Sequence, residues 1–583
     1  MKVNSSNSPT IPSRVMETLT QKIIHLIFVV SLYLSGGVLY RRLKKKSKHP
    51  MVHQKKLLRQ ILRKNRNTQF GMDHNFRHIQ SIQDFRQQVP VQTWDTIAPY
   101  VKHHTSGGSN ALVPGKPVSY AATSGTTGSP KYIPITSEIM KKSHINTGRI
   151  FTYKTHKDYP ELKNGKILAV VSPAEEGVVE DGTPYGSTSG HLVKGLPSVI
   201  RHKYPVPYEI FAIKDYSSKY YAILRCSLDQ DITMINSANA STLVLLAKKA
   251  DEWKDRLIRD IRSGTLCETL TLDEKTRTLV EKRLTPRPNL AERLERLIRE
   301  EPDNRLLPKH YWPSLFLAGC WTGGNSSIYL QEMKAWYGEI TIRDIGYLAS
   351  EVRGSIPLWR DSNAGILTFD QNFFEFVPLT DDGSQPDVLT LDQLKQGEQY
   401  DILVTTLAGL YRYRINDIIE VTGFYEKVPT IRFVQKGSGV TSITGEKLYE
   451  QQLIDAVEKT KATLGVKTTF YMGLAHVEKS RYVLYIEFSP SPPENAKTKF
   501  TALLDENLKE VNMEYRVKRD SMRLHPVELR ELASGAYEKM RLEKISQGCR
   551  EAQFKPTLLT QDITMIESFE VIRVIQPDYQ KAS

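Results

Sequence analysis

The sequence predicts a mixed α/β protein in which a large first domain is followed by a smaller α+β one and preceded by an apolar helix. Three observations carry that expectation. From about residue 51 to 435, strand-like runs alternate with stretches of helical spacing, the pattern of a layered α/β domain. After Gln435 the runs shorten, and Gly437, Gly439 and Gly445 loosen the chain. Ahead of Met51 lies an apolar stretch, residues 23–40, backed by a basic cluster. With 583 residues the chain exceeds what one compact core holds, so more than one domain is expected. The divisions predicted are 1–49, 50–435 and 436–583; the last has an ordinary domain size.

The first segment opens on polar, Ser- and Thr-rich text to residue 22 and then reads IIHLIFVVSLYLSGGVLY. About 18 residues at ~1.5 Å each span ~27 Å, just enough for a bilayer core. Arg41, Arg42, Lys44, Lys45, Lys46 and Lys48 follow at once, a flank that stops transfer and leaves the remainder of the chain in the cytosol. Three readings stand: a membrane anchor, a core or surface helix, and a signal peptide with Ser35-Gly36-Gly37 as its cleavage site.

In the body, residues 53–64 have helical spacing, with Leu57, Leu58, Ile61 and Leu62 on one side. A strand-like run at 117–120 leads into a Gly/Ser/Thr-rich loop, and residues 241–261 form one long amphipathic helix candidate. Residues 366–369, 373–377, 402–406 and 430–434 read as strands. In the last segment residues 448–460 look helical, and 468–473 and 482–488 strand-like.

Composition narrows the function classes. Hydrophobic residues at 40% and charged residues at 25% fit an ordinary globular protein. The net charge of +15 suits an anionic nucleotide or a membrane surface. Nucleic acid is not expected, since no stacking motif, helix-turn-helix or zinc spacing accompanies that charge. Cys226, Cys267, Cys320 and Cys549 stand far apart, which argues against a disulfide framework or zinc site and for a reducing compartment.

The strongest local signal is Thr123-Ser124-Gly125-Thr126-Thr127-Gly128-Ser129-Pro130-Lys131. Glycines let a backbone approach an anion, hydroxyls and N–H groups ligate phosphate oxygens, and Lys131 adds a point charge. It is no Walker A loop, because Gly-Lys-Ser/Thr is missing. By composition alone it could be only a loop. The segment resembles the phosphate loop of the adenylate-forming superfamily. Its continuation Tyr132-Ile133-Pro134-Ile135-Thr136 resembles the auxin- and jasmonate-conjugating acyl acid amido synthetases (the auxin-responsive promoter family) and their bacterial relatives. Further landmarks follow in order. Ser172-Pro173-Ala174 with 182–187 resembles a second. Trp312-Pro313-Ser314-Leu315 with Cys320-Trp321 resembles a third, at the edge of the nucleotide pocket. Gly346-Tyr347-Leu348-Ala349-Ser350-Glu351, which in isolation reads as a helix cap, resembles the nucleotide motif; residues 405–417 end in Asn416-Asp417. The likeness runs from about Met51 to Pro556.

The resemblance implies a large adenylate-forming α/β domain with a small α+β C-terminal lid, ATP as substrate and Mg²⁺ as its partner ion. It implies that Tyr347 stacks on adenine, the Ser350 hydroxyl meets the α-phosphate, Glu351 holds Mg²⁺ and Asp417 accepts the ribose hydroxyls. Lys555, in Gln553-Phe554-Lys555-Pro556, is the counterpart of the lid lysine that meets the α-phosphate and the substrate carboxylate. Two departures are visible: Asn416 stands where the family has Gly, and the residue between the lid Lys and Pro is missing, with Thr557 where Arg is usual. Asn tolerates positive φ, so the turn can survive. Arg412 and Arg414 read as a salt-bridged hairpin, and no catalytic role is expected of Arg412. The expected reaction joins a small carboxylic acid to an amine such as an amino acid through an acyl-AMP. A thiol acceptor, or a membrane-tethered binding protein that has lost catalysis, is the alternative.

Overall fold

A computed structural model of the chain describes residues 13–123, 131–163, 165–323, 328–379, 387–437, 439–441, 443, 446, 448–520, 524–547 and 556–576. The fold is mixed α/β, with four larger sheets. One is wholly parallel: Lys166–Ala169, Ile232–Asn236, Leu317–Cys320 and Thr341–Asp344 lie side by side in chain order. Parallel neighbours require crossovers, and the helices that supply them, from Tyr208–Phe211 to Ile328–Tyr337, bury their apolar faces in one core.

A second core joins the helix Pro50–Asn65 to a six-stranded sheet ordered Phe373–Pro378, Gln399–Thr405, Tyr413–Tyr425, Val428–Lys436, Gly365–Leu367, Ser355–Ile356. Leu57, Leu58, Ile61 and Leu62 are all buried in it, as the 3.6-residue period requires. The remaining two large sheets are a four-stranded one around Ser119–Thr123 and a five-stranded one ordered Leu559–Thr560, Thr468–His476, Arg481–Phe488, Glu528–Leu532, Val571–Ile575. The latter has its own core with the helices Glu450–Leu464 and Glu494–Val511.

Two elements differ from the sequence reading. The long helix expected over 241–261 is two, Ala240–Glu252 and Lys254–Ser263. The break is Trp253, at φ −102° and ψ 12°, whose ring is buried and packs on Tyr221. Burying the indole settles the local backbone against the amphipathic period.

The amino-terminal helix runs Ser13–Lys46 and takes in the basic cluster up to Lys46. It does not stand clear of the body. Phe28, Leu32 and Leu43 are buried, each worth about 1.5–3 kcal/mol. Phe28 meets His156 edge-on at 5.5 Å, Tyr33 meets Tyr153 at 5.3 Å, and Lys46 Nζ reaches Asp370 Oδ2 at 2.8 Å. At Gly36 an added Cβ would lie 2.6 Å from both Arg149 O and Tyr153 Cβ, so only glycine allows this approach to the helix Asn146–Asp158. The opposite side carries Leu26, Ile27, Val30 and Leu34, all exposed. By length and hydropathy the helix could cross a membrane; by packing it is a helix with one protein face and one apolar outer face.

Candidate active site

The phosphate-loop segment is pinched at its base. Thr123 ends one strand, Lys131 begins the next, and the two are direct partners in an antiparallel pair; the residues between them, Ser124, Gly125, Thr126, Thr127 and Gly128 among them, lie outside the described set. Lys131 is half-buried, with Nζ 5.9 Å from the centroid of Trp94. On its other edge the strand Ser119–Thr123 pairs in parallel with Pro184–Gly186. That brings the second landmark alongside, tied by Ser187 N to Pro173 O at 2.8 Å.

The nucleotide motif is a hairpin tip rather than a helix cap. Tyr347 O accepts from Gly354 N at 2.9 Å, and Ala349 N donates to Val352 O at 2.8 Å. Ser350 and Glu351 are therefore the two residues of the turn. Gly346 precedes it at φ +87°, where an L side chain is strained. Two residues earlier, Asp344 accepts from Thr322 N, Thr322 Oγ1 and Gly346 N at 2.9, 2.6 and 2.6 Å. Burial raises the Asp344 pKa, while these bonds oppose the rise.

Tyr347 lies against Gly354 on one side, where a Cβ would come within 2.2 Å of its ring. It stacks in parallel with Phe433, centroids 6.0 Å apart and planes 8° apart. Its hydroxyl donates to Asp417 Oδ2 at 2.8 Å. Burial, then the Asp417 charge, pushes the phenol pKa well up, so it remains a donor at neutral pH. Glu351, in the turn that follows Tyr347, adds its charge to that of Asp417 in raising the Tyr347 and Tyr413 phenols. Tyr347 and Asp417, far apart in sequence, thus meet.

Asp417 is aimed by an irregular ladder. Leu403 pairs with Arg414 and Asp401 with Ile418, so three residues, 415–417, oppose one. Bulges of this kind redirect side chains. Asn416 sits in it at φ +64°, a region Asn enters more readily than most residues. The departure from glycine therefore leaves the turn intact. Arg412 is structural: its Nε donates to Glu375 Oε2 at 2.9 Å and its Nη1 to Val89 O at 2.7 Å. Arg414 Nε donates to Asp401 Oδ2.

Two of the predicted positions need comment. Lys555 lies outside the described residues. The third landmark is only partly at the pocket: Trp312 and Cys320 are buried in the core of the parallel sheet, with Trp312 Nε1 on Ser227 O at 2.8 Å. Its end alone reaches the site, through Trp321 Nε1 to Gly346 O at 3.2 Å. Indole size favoured burial over display.

The chain matches the GH3 family N-terminal domain over residues 39–342, its central domain over 365–436 and its C-terminal domain over 451–563. It belongs to the GH3 family. Similar proteins include the jasmonoyl–L-amino acid synthetase JAR4 of Nicotiana attenuata, 24% identical over 530 residues, covering 86% of this chain and 90% of that one. The 4-substituted benzoates-glutamate ligase GH3.12 of Arabidopsis thaliana is 27% identical over 503 residues, covering 81% and 86%. Among solved structures, the GH3.15 acyl acid amido synthetase superposes with a TM-score of 0.82 at 23% identity, covering 92% of this chain and 97% of that one. The fold is shared with that enzyme.

Sequence reasoning did not single out Phe433, Tyr413, His144 or Arg353. Phe433 and Tyr413 are aromatics of the two strands that carry and flank Asp417, and an aromatic in a strand carries no signal that separates site from core. His144 lies in a π-helical turn, Met140–Ile145, just beyond the phosphate-loop strands. Burial, then Arg353, lowers its pKa to about 3, so the imidazole is neutral. Burial also draws the Arg353 guanidinium down to about 10. π-helical turns concentrate at functional sites, and only the fold shows one here.

Proposed function

We propose that this chain is an ATP-dependent acyl acid amido synthetase, which activates a carboxylic acid as its acyl-AMP and passes the acyl group to an amine such as an amino acid. The observation that carries the reading is the Tyr347–Asp417 hydrogen bond of a GH3 chain, with Ser350 and Glu351 in the turn that follows Tyr347. Asp417, a carboxylate beside an aromatic ring, suits two ribose hydroxyls, each bond being charge-assisted. Tyr347, with Phe433 beside it, offers the aromatic surface a purine needs. The substrate carboxylate is itself the nucleophile at the α-phosphorus, and pyrophosphate leaves, so no side-chain nucleophile is required. Ser350 at the hairpin tip, the loop 123–131 with Lys131, and Lys555 supply hydrogen bonds and positive charge where the transferring phosphoryl group becomes crowded. The amine then attacks the acyl carbonyl and AMP leaves.

The residues also fit a magnesium ion. Glu351 is a hard oxygen donor at the tip of the hairpin that carries Tyr347, the hydrogen-bond partner of Asp417. Bound there with the nucleotide, Mg²⁺ would offset charge on the triphosphate and on the departing pyrophosphate. The test is pyrophosphate release from ATP across a panel of carboxylic acids, with amino acids or coenzyme A as acceptor. Amide product with an amino acid supports the proposal; thioester product alone would replace the amine by a thiol; no release with any acid would sink the ligase reading.

For location, the reading is membrane attachment through residues 23–40. Its support is the outer apolar face of Leu26, Ile27, Val30 and Leu34, next to exposed Arg41, Arg42, Lys44 and Lys45. Because the inner face packs on the body, attachment is by insertion into the surface layer, driven by apolar area and anionic lipid. Protein that does not float with anionic vesicles at low salt would refute it.

A further inference from the structure

Three strands of the parallel sheet end side by side next to the nucleotide motif. Cys320 and Asp344 are direct partners at the carboxyl ends of their strands. Trp321 N, one residue further, donates to Ala238 O at 3.0 Å, just past the end of Ile232–Asn236. Open α/β sheets bind their ligands at this edge. Here the edge also grips a piece of backbone. Asp344 is 7% exposed, and its carboxylate joins two segments: Oδ2 accepts from Thr322 N and Thr322 Oγ1, and Oδ1 from Gly346 N. From the other side Trp321 Nε1 donates to Gly346 O. The peptide groups before and after Gly346 are thereby both held, with the residue at φ +87°. The grip continues one residue on. Tyr347 N donates to Ser355 Oγ at 2.9 Å, and Tyr347 O accepts from Gly354 N and Ser355 N. The direction in which the Tyr347 ring leaves the chain is set by these bonds, and that direction carries its hydroxyl to Asp417.

We propose that Asp344 and Trp321 are positioning residues for ATP: they lock Gly346 in the left-handed conformation that aims Tyr347 at Asp417, and so they complete the surface on which the nucleoside sits. This rests on the adenylating activity proposed above and adds to it two residues that act through Tyr347 rather than on the nucleotide. The residue types match the task. Two N–H groups and one O–H converge on Asp344, and an ionised carboxylate is the side chain that only accepts. An amide in its place would turn an NH₂ group toward one of those donors. The indole N–H only donates, as the Gly346 carbonyl requires. A side chain at 346 would meet Pro357 Cδ at 2.8 Å and Ser355 O at 3.0 Å, so the clamped conformation also fits the space around it. Both Asp344 oxygens face hydrogen-bond donors, the setting of a carboxylate that holds backbone and not of one that holds a cation.

The experiment follows pyrophosphate release, and ATP binding by calorimetry, in Asp344→Asn and Trp321→Phe. The first keeps the shape of the side chain, and the second keeps an aromatic ring without its N–H. Either change should lower kcat/KM for ATP about 10- to 100-fold, the scale on which a small displacement of a binding group acts, while KM for the acid stays in place. Coupling is the readout that a merely structural role would not move. In a Tyr347→Leu background, which removes the ring being aimed, Asp344→Asn should cost no more than about two-fold further. Fully additive losses would overturn the proposal, and so would wild-type ATP kinetics in both variants. A shifted Mg²⁺ dependence with unaltered ATP affinity would also overturn it, by making Asp344 a metal ligand. Trp321→Phe carries the same test if Asp344→Asn does not fold. Absence of release with every acid removes the ligase reading alone, since ATP calorimetry on the same variants still decides the clamp.

Discussion

Replacing Asp417 by Asn removes one charge and little else. The side chain keeps its shape, and its oxygen can still accept from the Tyr347 hydroxyl, which now donates to Oδ2 at 2.8 Å. What changes is the strength of every bond that Asp417 accepts. A hydrogen bond to a charged group contributes about 1.5–3 kcal/mol and a neutral one about 0.5–1.5, so each of two ribose bonds should weaken by about 1 kcal/mol. The total of about 2 kcal/mol corresponds to a roughly 30-fold loss in kcat/KM for ATP. The assay is steady-state pyrophosphate release at a saturating acid concentration, with ATP, 2′-deoxy-ATP and 3′-deoxy-ATP. For the wild type each missing hydroxyl should lower kcat/KM; for Asp417→Asn the further loss should be smaller, because the variant has less to lose. That coupling isolates the contact from any general damage. Wild-type kinetics in the variant, or equal sensitivity of both enzymes to the deoxy nucleotides, would refute the role given to Asp417.

Four further outcomes follow from the same geometry. Glu351→Gln should move the Mg²⁺ dependence of pyrophosphate release to higher concentration, and an unchanged titration in a folded variant removes Glu351 from the metal. Lys555→Ala should abolish acid-dependent pyrophosphate release while ATP still binds by calorimetry; parallel loss of binding would point to a different role. His144 has a folded pKa of about 3 against an ordinary 6.5. Its contribution to stability is therefore complete above pH 6.5 and lost as pH falls through the window from 6.5 to 3, about 2 kcal/mol between pH 7 and pH 5. Denaturant unfolding of His144→Asn should show a flatter acid limb over that interval, and an unaltered limb would contradict the burial argument. Gly36→Val must push the amino-terminal helix off Arg149 and Tyr153, at a cost of about 1–3 kcal/mol. Faster proteolytic release of the segment before Pro50 is expected, and an unchanged rate would mean the helix is not seated there.

The sequence by itself determined the elements with a strong period and the motifs with a fixed local spacing. The helix Pro50–Asn65, the strand pair Thr468–His476 with Arg481–Phe488 and the mixed α/β class were legible because burial on one face writes itself into the residue order. The Tyr347–Glu351 stretch was singled out through the family resemblance; its own residues read as a helix cap, and the structure makes it a hairpin tip. Tertiary structure alone decided which of these meet. Nothing local states that Tyr347 and Asp417 share a hydrogen bond across 70 positions, or that a ladder with three residues opposite one turns Asp417 inward. It also decided the amino-terminal helix, where hydropathy cannot distinguish a lipid face from a protein face and a single Gly36 contact does.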